Sequence, residues 1–426
     1  MSLRTLWPAV AIVVAGVADH AGVAAAQPTP AATSTLNAVT AAPRQAGDRY
    51  FFTTDSGTLY VRDGRDGPAR ELLPAKSYGM YAPSRNGRYV AYTIPTSTAN
   101  PMQGTSYQIR IRDVDTRRDL SDVLNFASIS DAPWTDNHKG FFYAREDTSE
   151  HRQRVYYHRV GEDQSRDEII YSRQDAPEFR YSVRVSDDGH YAVFTITHPI
   201  DDHTRLYFID LDNPGKPSLN APVVKLVDEF DTKYDFIDNG GNSFFLQTTR
   251  EAPHGRVLVA NTDITRESRW PTVLREVADS LQYVKTAGDT YLAAAYRNGD
   301  KWIVRLYSPP DPKQMREEMK KRQDSIRKAG HDSTGERRGP PGGMGRGGPG
   351  AGGRRGGPMD LFGFRLDLRR EIPIPAGATL VGMNSLADQD VLFYTLKLAD
   401  GSVRQFSYNV KTGANEPFNT SPSTKQ

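Results

Sequence analysis

Cysteine is absent from the chain of 426 residues, and tryptophan occurs only four times. Without cysteine the protein has no disulfide, no thiolate ligand for a metal ion and no thiol nucleophile. Its folded state must therefore depend on a packed core. The aromatic residues are mainly tyrosine and phenylalanine, 21 and 17 in number. Flat rings suit the pleated, half-buried surface of a sheet, so this composition favours strands.

An excess of either charge is also lacking, because 54 lysine and arginine residues are balanced by 52 aspartate and glutamate residues. A formal net charge of +2 gives no bulk electrostatic reason to expect nucleic acid as a partner. No partner of that class is predicted. The length allows two or three average domains, although an all-β fold often uses more than about 200 residues as one domain.

The N-terminus has the pattern of a secretory signal peptide. Arg4 supplies a positive charge, Leu6 to Val17 form a short apolar run, and Ala24 to Ala26 offer small residues for cleavage. The run is shorter than the ~20 residues that a bilayer span needs, so no membrane span is expected once residues 1–26 are removed. A buried N-terminal helix is the alternative. With residues 27–46 as a flexible leader, the pattern predicts a secreted or periplasmic bacterial protein.

The dominant feature of the chain is a repeat. Each unit has a turn rich in Gly, Asn or Asp, then an aromatic-rich strand, then a second strand that often ends in Asp. The seven units begin at Gly47, Pro83, Trp134, Ser186, Asp238, Ala287 and Asp388. Most are spaced by roughly fifty residues, the period of a four-stranded propeller blade. The sequence therefore predicts an all-β fold, a seven-bladed β-propeller of four-stranded antiparallel blades; a tandem of β-sandwiches is the alternative.

One segment interrupts this repeat. Residues 311–329 are highly charged and lack turn residues, which predicts an exposed helix, and residues 337–358 consist largely of Gly, Arg and Pro. Such a composition buries too little apolar area to offset the entropy of ordering it. We interpret 311–360 as an insertion in a hairpin of the sixth blade, forming a solvated linker; binding to an anionic surface is the alternative. The predicted propeller spans 47–418, with a tail over 419–426.

Three stretches resemble the N-terminal propeller domain of the prolyl oligopeptidase family. Residues 132–143 include the motif APWTD followed by KGFFY, and residues 155–167 contain YYHRVGEDQS. Residues 248–256 read TTREAPHGR, with Trp270 after them. The YYHRVGEDQS block is the most specific of the three. The resemblance extends over about residues 47–418, nearly the whole chain after the predicted leader.

In that family the propeller covers an α/β-hydrolase domain with a Ser-Asp-His triad and restricts entry to short peptides. These 426 residues contain no Gly-x-Ser-x-Gly, the strained turn that exposes such a serine. No catalytic residue is therefore predicted, and the sequence leaves open whether the chain is an enzyme. The resemblance implies a serine-type endopeptidase relative that acts as a peptide- or partner-binding and gating module, without hydrolysis of its own.

Two alternatives to this function remain. The chain could be the non-catalytic subunit of a split prolyl endopeptidase whose hydrolase domain is encoded separately, or it could be a non-functional remnant. The expected partners are accordingly short peptides or a separately encoded α/β-hydrolase domain. No cofactor is predicted.

Arg250 is the candidate site residue, because the family places an arginine of this stretch on the face toward the hydrolase. The resemblance implies that its planar fork meets a peptide carboxylate or carbonyl. An ion pair with an acidic residue of a neighbouring blade is the alternative.

Other titratable residues are interpreted as structural. His198 and His203 with the acidic residues between them could ligate a metal ion, but Asp and Pro are ordinary loop residues there, so no metal site is predicted. His158, which flanks a strand, is expected at the surface or in strand packing. Asp187 and Asp188 could form a carboxylate pair for acid–base chemistry, although turn residues are the favoured interpretation.

Overall fold

The protein is described by a computed structural model over residues 42–96, 106–147, 149–150, 152–198, 200–263, 270–288, 290–310, 366–386 and 388–418. The predicted signal peptide, the tail and the predicted insertion at 311–360 lie outside the described residues. So does the predicted leader up to residue 41. Among the described residues, no helix has the length and apolar character needed to cross a bilayer.

Seven antiparallel sheets of four strands form the fold, which confirms the predicted seven-bladed propeller. Blade 1 contains β1 Arg44–Ala46, β2 Arg49–Thr53, β3 Leu59–Asp63 and β4 Arg70–Leu73. Blade 2 contains β5 Tyr81–Pro83, β6 Tyr89–Thr96, β7 Ser106–Asp113 and β8 Asp119–Asn125. Blade 3 contains β9 Ala127–Ser128, β10 Gly140–Asp147, β11 Arg152–Arg159 and β12 Glu168–Tyr171.

The next four blades follow the same plan. Blade 4 contains β13 Arg180–Val185, β14 Tyr191–Thr197, β15 Thr204–Asp210 and β18 Val224–Val227, with the small ribbon β16 Asp212–Asn213 and β17 Lys216–Pro217 before its last strand. Blade 5 contains β19 Tyr234–Gly240, β20 Ser243–Thr248, β21 Arg256–Asn261 and β22 Thr272–Leu274. Blade 6 contains β23 Ser280–Ala287, β24 Tyr291–Asn298, β25 Lys301–Ser308 and β26 Asp367–Ile372. Blade 7 contains β27 Thr379–Asn384, β28 Val391–Lys397, β29 Val403–Asn409 and β30 Asn415–Pro417.

The repeated sequence unit corresponds to the second and third strands of each blade, which carry most of the buried aromatic residues. The first strand of blade 1, β1, lies inside the segment predicted as leader. The repeat pattern does not show this strand, because β1 is only three residues long and has no aromatic residue. Its backbone nevertheless pairs with β2, with Gln45 opposite Tyr50. In blade 6, Ser308 of β25 pairs with Asp367 of β26, so residues 309–366 connect two neighbouring strands at the outer side of that blade.

One hairpin after a first strand requires glycine at a specific position. Gly87, between β5 and β6, has a φ of +69°, and a Cβ there would lie 2.5 Å from the carbonyl oxygen of Ala46 on blade 1. Only glycine combines this conformation with so close an approach. The turn thus places two neighbouring blades in direct contact.

The core is divided among the boundaries between blades. In the described part of the chain, seven hydrophobic clusters occur, and each joins two consecutive blades of the ring. At the boundary of blades 2 and 3, for example, Trp134 and Phe141 pack against Ala82 and Ile109. The indole nitrogen of Trp134 also donates a hydrogen bond to the carbonyl oxygen of Ala82, at 2.9 Å. Each blade therefore buries its apolar faces against its neighbours rather than within itself.

Blades 1 and 7 meet without sharing a strand, because the four strands of each blade come from one stretch of the chain that contains no strand of another blade. Their boundary is built from aromatic rings. Phe418 lies 5.5 Å, centroid to centroid, from both Phe52 of blade 1 and Phe393 of blade 7. The guanidinium carbon of Arg62 stands 4.1 Å from the centroid of the same ring. Polar contact is added by Gln405, whose amide donates to the carbonyl oxygen of Thr53 at 3.0 Å.

Replacing Phe418 by Ala should lower the free energy of unfolding by about 3–5 kcal/mol, because the ring is buried and the cavity it leaves lies at the closure of the propeller. Phe126→Ala is the matched control, since this side chain is 44% exposed, and it should cost less than about 1 kcal/mol. Urea unfolding of both variants measures the difference. Equal losses for the two variants would show that the aromatic boundary does not hold the ring closed.

Candidate functional site

A cavity of about 390 Å³ lies where the first strands of the blades converge. Its lining comes from six of the seven blades, which identifies the first strand of each blade as the innermost one. The lining residues are Ala42, Arg44, Gly79, Met80, Tyr81, Ser130, Asp131, Ser182, Tyr283, Lys285, Val381, Gly382, Met383 and Asn384. A second cavity of about 70 Å³ shares Arg44, Asp131 and Asn384 with the first and adds Arg85, Arg184 and Asp187. We call the two together the central channel.

Alternation along the innermost strands selects which side chains reach the channel. On β13, Tyr181, Val183 and Val185 are buried between blades, whereas Ser182 and Arg184 point the other way and line the channel. Polar side chains at these positions therefore face the channel and are not buried in the apolar core.

Charged side chains gather where the innermost strands approach their hairpins. Arg44 donates to the backbone carbonyl oxygen of Asp131 at 2.8 Å, and its guanidinium group lies 4.0 Å from the Asp131 carboxylate. Burial opposes ionisation of Asp131, but Arg184, Lys285 and Arg44 outweigh it and hold the pKa of this carboxyl well below its usual range. Asp131 is therefore a fixed negative charge in the field of three cations.

Two further carboxylates lie beside this cluster. Asp187 is 3.7 Å from Arg184 and 3.8 Å from Arg85, each measured between guanidinium nitrogen and carboxylate oxygen. The backbone N–H of Asp187 donates to Asp238 at 3.0 Å. Burial first, and then the Asp187 carboxylate, raise the pKa of Asp238 well above its usual range. The buried pair therefore favours a state in which Asp238 carries a proton.

Lys285 of β23 is the unusual member of the group. Its ammonium group makes no hydrogen bond or ion pair with another described residue, although it lines the larger cavity. Burial, assisted by Arg184, lowers the pKa of Lys285 to about 8. A lysine with few protein partners in a largely desolvated channel is available to a ligand.

Arg250 lies in the turn between β20 and β21, at the opposite end of blade 5 from the β19–β20 hairpin. It forms an ion pair with Asp231, which precedes β19 in the connection from blade 4. Its backbone N–H donates to the hydroxyl of Thr248 at 3.1 Å. Arg250 does not line the central channel cavities. Its role toward peptides or a partner stays a prediction.

His158 is part of a buried ionic cluster, not a surface residue. Its Nε2 lies 2.9 Å from Asp122 on β8 of blade 2, and its Nδ1 lies 2.8 Å from Asp167 in the loop before β12. Asp167 also accepts a hydrogen bond from the hydroxyl of Tyr143 at 2.6 Å, and Asp122 one from the N–H of Gly161 at 2.6 Å. Burial opposes a charged ring, but the hydrogen bonds to Asp122 and Asp167 outweigh it and raise the pKa of His158 to about 9.

The other histidines and the Asp pair have local roles. His198 contacts the rings of Phe179 and Phe230, and His203 lies 3.7 Å from Asp201. Within the described ranges, no group of three or more His, Cys, Asp or Glu residues could hold a metal ion. Asp188 accepts hydrogen bonds from Ser186 and from the N–H of His190, as a turn residue does.

The charged residues of the channel were not predicted from the sequence. Arg44, Arg184 and Lys285 occupy first strands of blades, which the aromatic repeat does not reveal, and each looks like an ordinary polar position of a half-exposed strand. Their position in the repeat was the signal that could have revealed them. These residues precede the recurrent hairpins by two or three residues in several units, and they alternate with apolar residues.

The chain is similar to known proteins along most of its length. The model of the prolyl oligopeptidase N-terminal beta-propeller domain matches residues 38–421. The chain is 30% identical over 298 residues to prolyl oligopeptidase A of Galerina marginata, covering 65% of this chain and 38% of that protein. It is 24% identical over 274 residues to the prolyl endopeptidase of Elizabethkingia meningoseptica, covering 59% of this chain and 37% of that protein.

A solved structure of prolyl oligopeptidase B from Galerina marginata, without ligand, matches with a TM-score of 0.63 at 19% identity. The match covers 89% of this chain and 50% of that one, and at this identity it supports the fold alone. The chain thus spans well under half the length of these curated relatives and half of the solved chain.

The His158 cluster predicts a specific pH dependence of stability. The folded pKa of about 9 exceeds the usual 6.5, so the contribution is complete below pH 6.5 and is lost as pH rises through 9. Between these values the free energy of unfolding should fall by roughly 3 kcal/mol more in the natural protein than in His158→Gln. His254→Gln, at an exposed position, is the control and should keep the natural profile.

Urea unfolding at pH 6.5 and 9 tests this expectation, and an NMR titration of the His158 ring gives the same answer if the variant does not fold. Parallel profiles, or a ring that titrates near pH 6.5, would contradict it.

Proposed function

Because the chain belongs to the prolyl oligopeptidase family through its N-terminal β-propeller domain, we propose that it is a binding and gating module for peptides. It does not hydrolyse them itself. The observation that carries the proposal is the central channel, which six blades line with both apolar and hydrogen-bonding groups.

The channel has the chemistry that an extended peptide requires. Met80, Tyr81 and Met383 provide apolar surface, and the exposed hydroxyl of Ser182 and the amide of Asn384 provide hydrogen-bonding groups for a backbone. A volume of about 390 Å³ falls within the range of roughly 300–1,000 Å³ that is typical of sites for small ligands. Such a site suits a short peptide rather than a folded protein.

We further propose a hydrolase domain outside these 426 residues as the partner of the face that carries Arg250. The relatives named prolyl oligopeptidase and prolyl endopeptidase are more than twice as long as the matched part of this chain, which leaves length for such a domain. The propeller would then control which peptides reach the hydrolase. A propeller that binds neither peptide nor hydrolase would instead be a remnant.

Export from a bacterial cell completes the proposal. It is supported by the positive start, the short apolar run and the small residues of 1–26. The absence of cysteine places no redox requirement on that compartment.

The purified chain should not cleave proline-containing peptides and should not react with a serine-directed phosphonate, because no Gly-x-Ser-x-Gly is present to activate a serine. Intact mass spectrometry after incubation should show the unmodified mass, with Elizabethkingia meningoseptica prolyl endopeptidase as the positive control. Stoichiometric addition of the probe would disprove the non-catalytic assignment.

The role of Arg250 can be separated from its ion pair. If its guanidinium group meets a peptide or a hydrolase, Arg250→Glu should weaken that binding on the order of tenfold or more, since a charged hydrogen bond is lost and repulsion is added. Asp231→Asn is the matched variant, because it removes the partner of the ion pair and keeps the cation. It should change the affinity less than about twofold.

Fluorescence anisotropy with a labelled proline-containing peptide, and with the hydrolase domain of a relative, measures both variants. Equal effects of Arg250→Glu and Asp231→Asn would show that Arg250 is structural.

A further inference from the structure

The cations of the central channel are not fully paired. Lys285 has no hydrogen bond or ion pair within the described part of the protein, and the Nε of Arg184 is buried without a hydrogen-bond partner. Arg44 turns part of its guanidinium group toward the Asp131 carboxylate at 4.0 Å, longer than a direct hydrogen bond. Three cationic side chains from blades 1, 4 and 6 therefore keep donor capacity on the channel.

A count of charges gives the same result. The channel cluster has four cations, adding Arg85 to the three above, and its carboxylates are Asp131, Asp187, Asp238 and Asp136, which lies 3.9 Å from Arg85. Arg85 is well satisfied, since it also donates to the backbone carbonyl oxygens of Ser186 and Asp187. Burial and the Asp187 carboxylate raise the pKa of Asp238 well above its usual range, so Asp238 favours its neutral form. One positive charge then remains against Asp131, Asp136 and Asp187. A monoanion would balance it, and Lys285 is the cation that lacks a partner.

We propose that Lys285, Arg184 and Arg44 form a carboxylate-binding site in the central channel, and that its occupant is the C-terminal carboxylate of a peptide. The proposal rests on the proposed peptide-binding function and names the part of the peptide that the channel holds. Ammonium and guanidinium groups are the natural donors for a carboxylate, and a desolvated channel strengthens each such bond.

The surroundings of the site favour a peptide over a small hydrated anion. Met80, Tyr81, Tyr283 and Met383 line the larger cavity together with Lys285 and Arg44, so the body attached to the anion contacts apolar and aromatic surface. Ser182, exposed on the same strand as Arg184, lies two residues away and is available to the peptide backbone. An amino acid or peptide end matches this combination of one charge, amides and apolar side chains.

Binding should be linked to the proton of Lys285. Its pKa of about 8 reflects burial and the fields of Arg184 and Arg44, opposed by Asp131 and Asp187, with the buried Asp238 of blade 5 beside Asp187. A bound carboxylate stabilises the ammonium form. The affinity for the acid should therefore fall above pH 8, by at most about tenfold for each pH unit, until it equals the affinity for the neutral peptide, because one proton must be taken up to form the contact.

The test compares two forms of one ligand, N-acetylated Ala-Pro-Ala-Phe with a free C-terminus and the same peptide with a C-terminal amide. Isothermal titration calorimetry at pH 7 should give at least about tenfold tighter binding of the free acid. Lys285→Met should abolish the difference. Lys397→Met, at an exposed position of β28, is the control and should retain it. Lys285→Arg should restore the difference and keep it at pH 9, since arginine stays charged.

The outcomes separate this inference from the proposed function. Equal binding of acid and amide, or a preference that persists in a folded Lys285→Met protein, overturns the carboxylate site and leaves peptide binding intact. Acetate that binds as tightly as the free acid overturns the peptide as occupant. If neither peptide binds, the proposed function itself fails. Thermal melting of each variant establishes that it is folded.

Discussion

Blades 1 and 7 are held together by side chains, since no strand passes from one to the other. This boundary is stabilised by aromatic packing around Phe418, by the cation over its ring and by a few side-chain hydrogen bonds. Within a blade, continuous backbone pairing holds the strands together. The rest of the ring depends on the contact between blades 1 and 7. Asn384 of blade 7, whose amide donates to the carbonyl oxygen of Pro43 at 3.2 Å, faces the same channel as Arg44 of blade 1. The channel therefore keeps its width only while blades 1 and 7 stay in contact.

Much of the architecture could be predicted from the sequence because the second and third strands of each blade carry a strong local signal. Strands such as Tyr89–Thr96 and Tyr191–Thr197 are buried on both faces, so their aromatic and β-branched residues are dense and follow recognisable turns. The first strands carry a weaker signal, because one side of each faces the channel and tolerates polar residues. Lys285 and Arg184 lie on such strands, and no local pattern shows that their charges act on each other across an intervening blade.

The segment that carries the family resemblance most specifically has a structural role here. His158 and Asp167 both belong to the block of residues 155–167, but Asp122 comes from blade 2, 36 residues before His158. A sequence motif shows the first two and cannot show the third. Without Asp122 the burial of a histidine reads as simple strand packing; with it, the ring becomes the cation of a buried ion cluster that links two blades.

The innermost strands all run in the same direction along the axis of the ring, because each is the first strand of a blade with the same topology. The charges of Arg44, Arg184, Lys285 and Asp238 lie near the hairpin ends of these strands, whereas Arg250 lies at the opposite end of blade 5. The two ends of the ring axis therefore carry different groups, so the axis has a direction. A polypeptide is also a directional object, with an amino end and a carboxyl end, so its two orientations along this axis are not equivalent. A peptide bound along this axis would therefore meet different groups in its two orientations, which is a property that no single blade possesses.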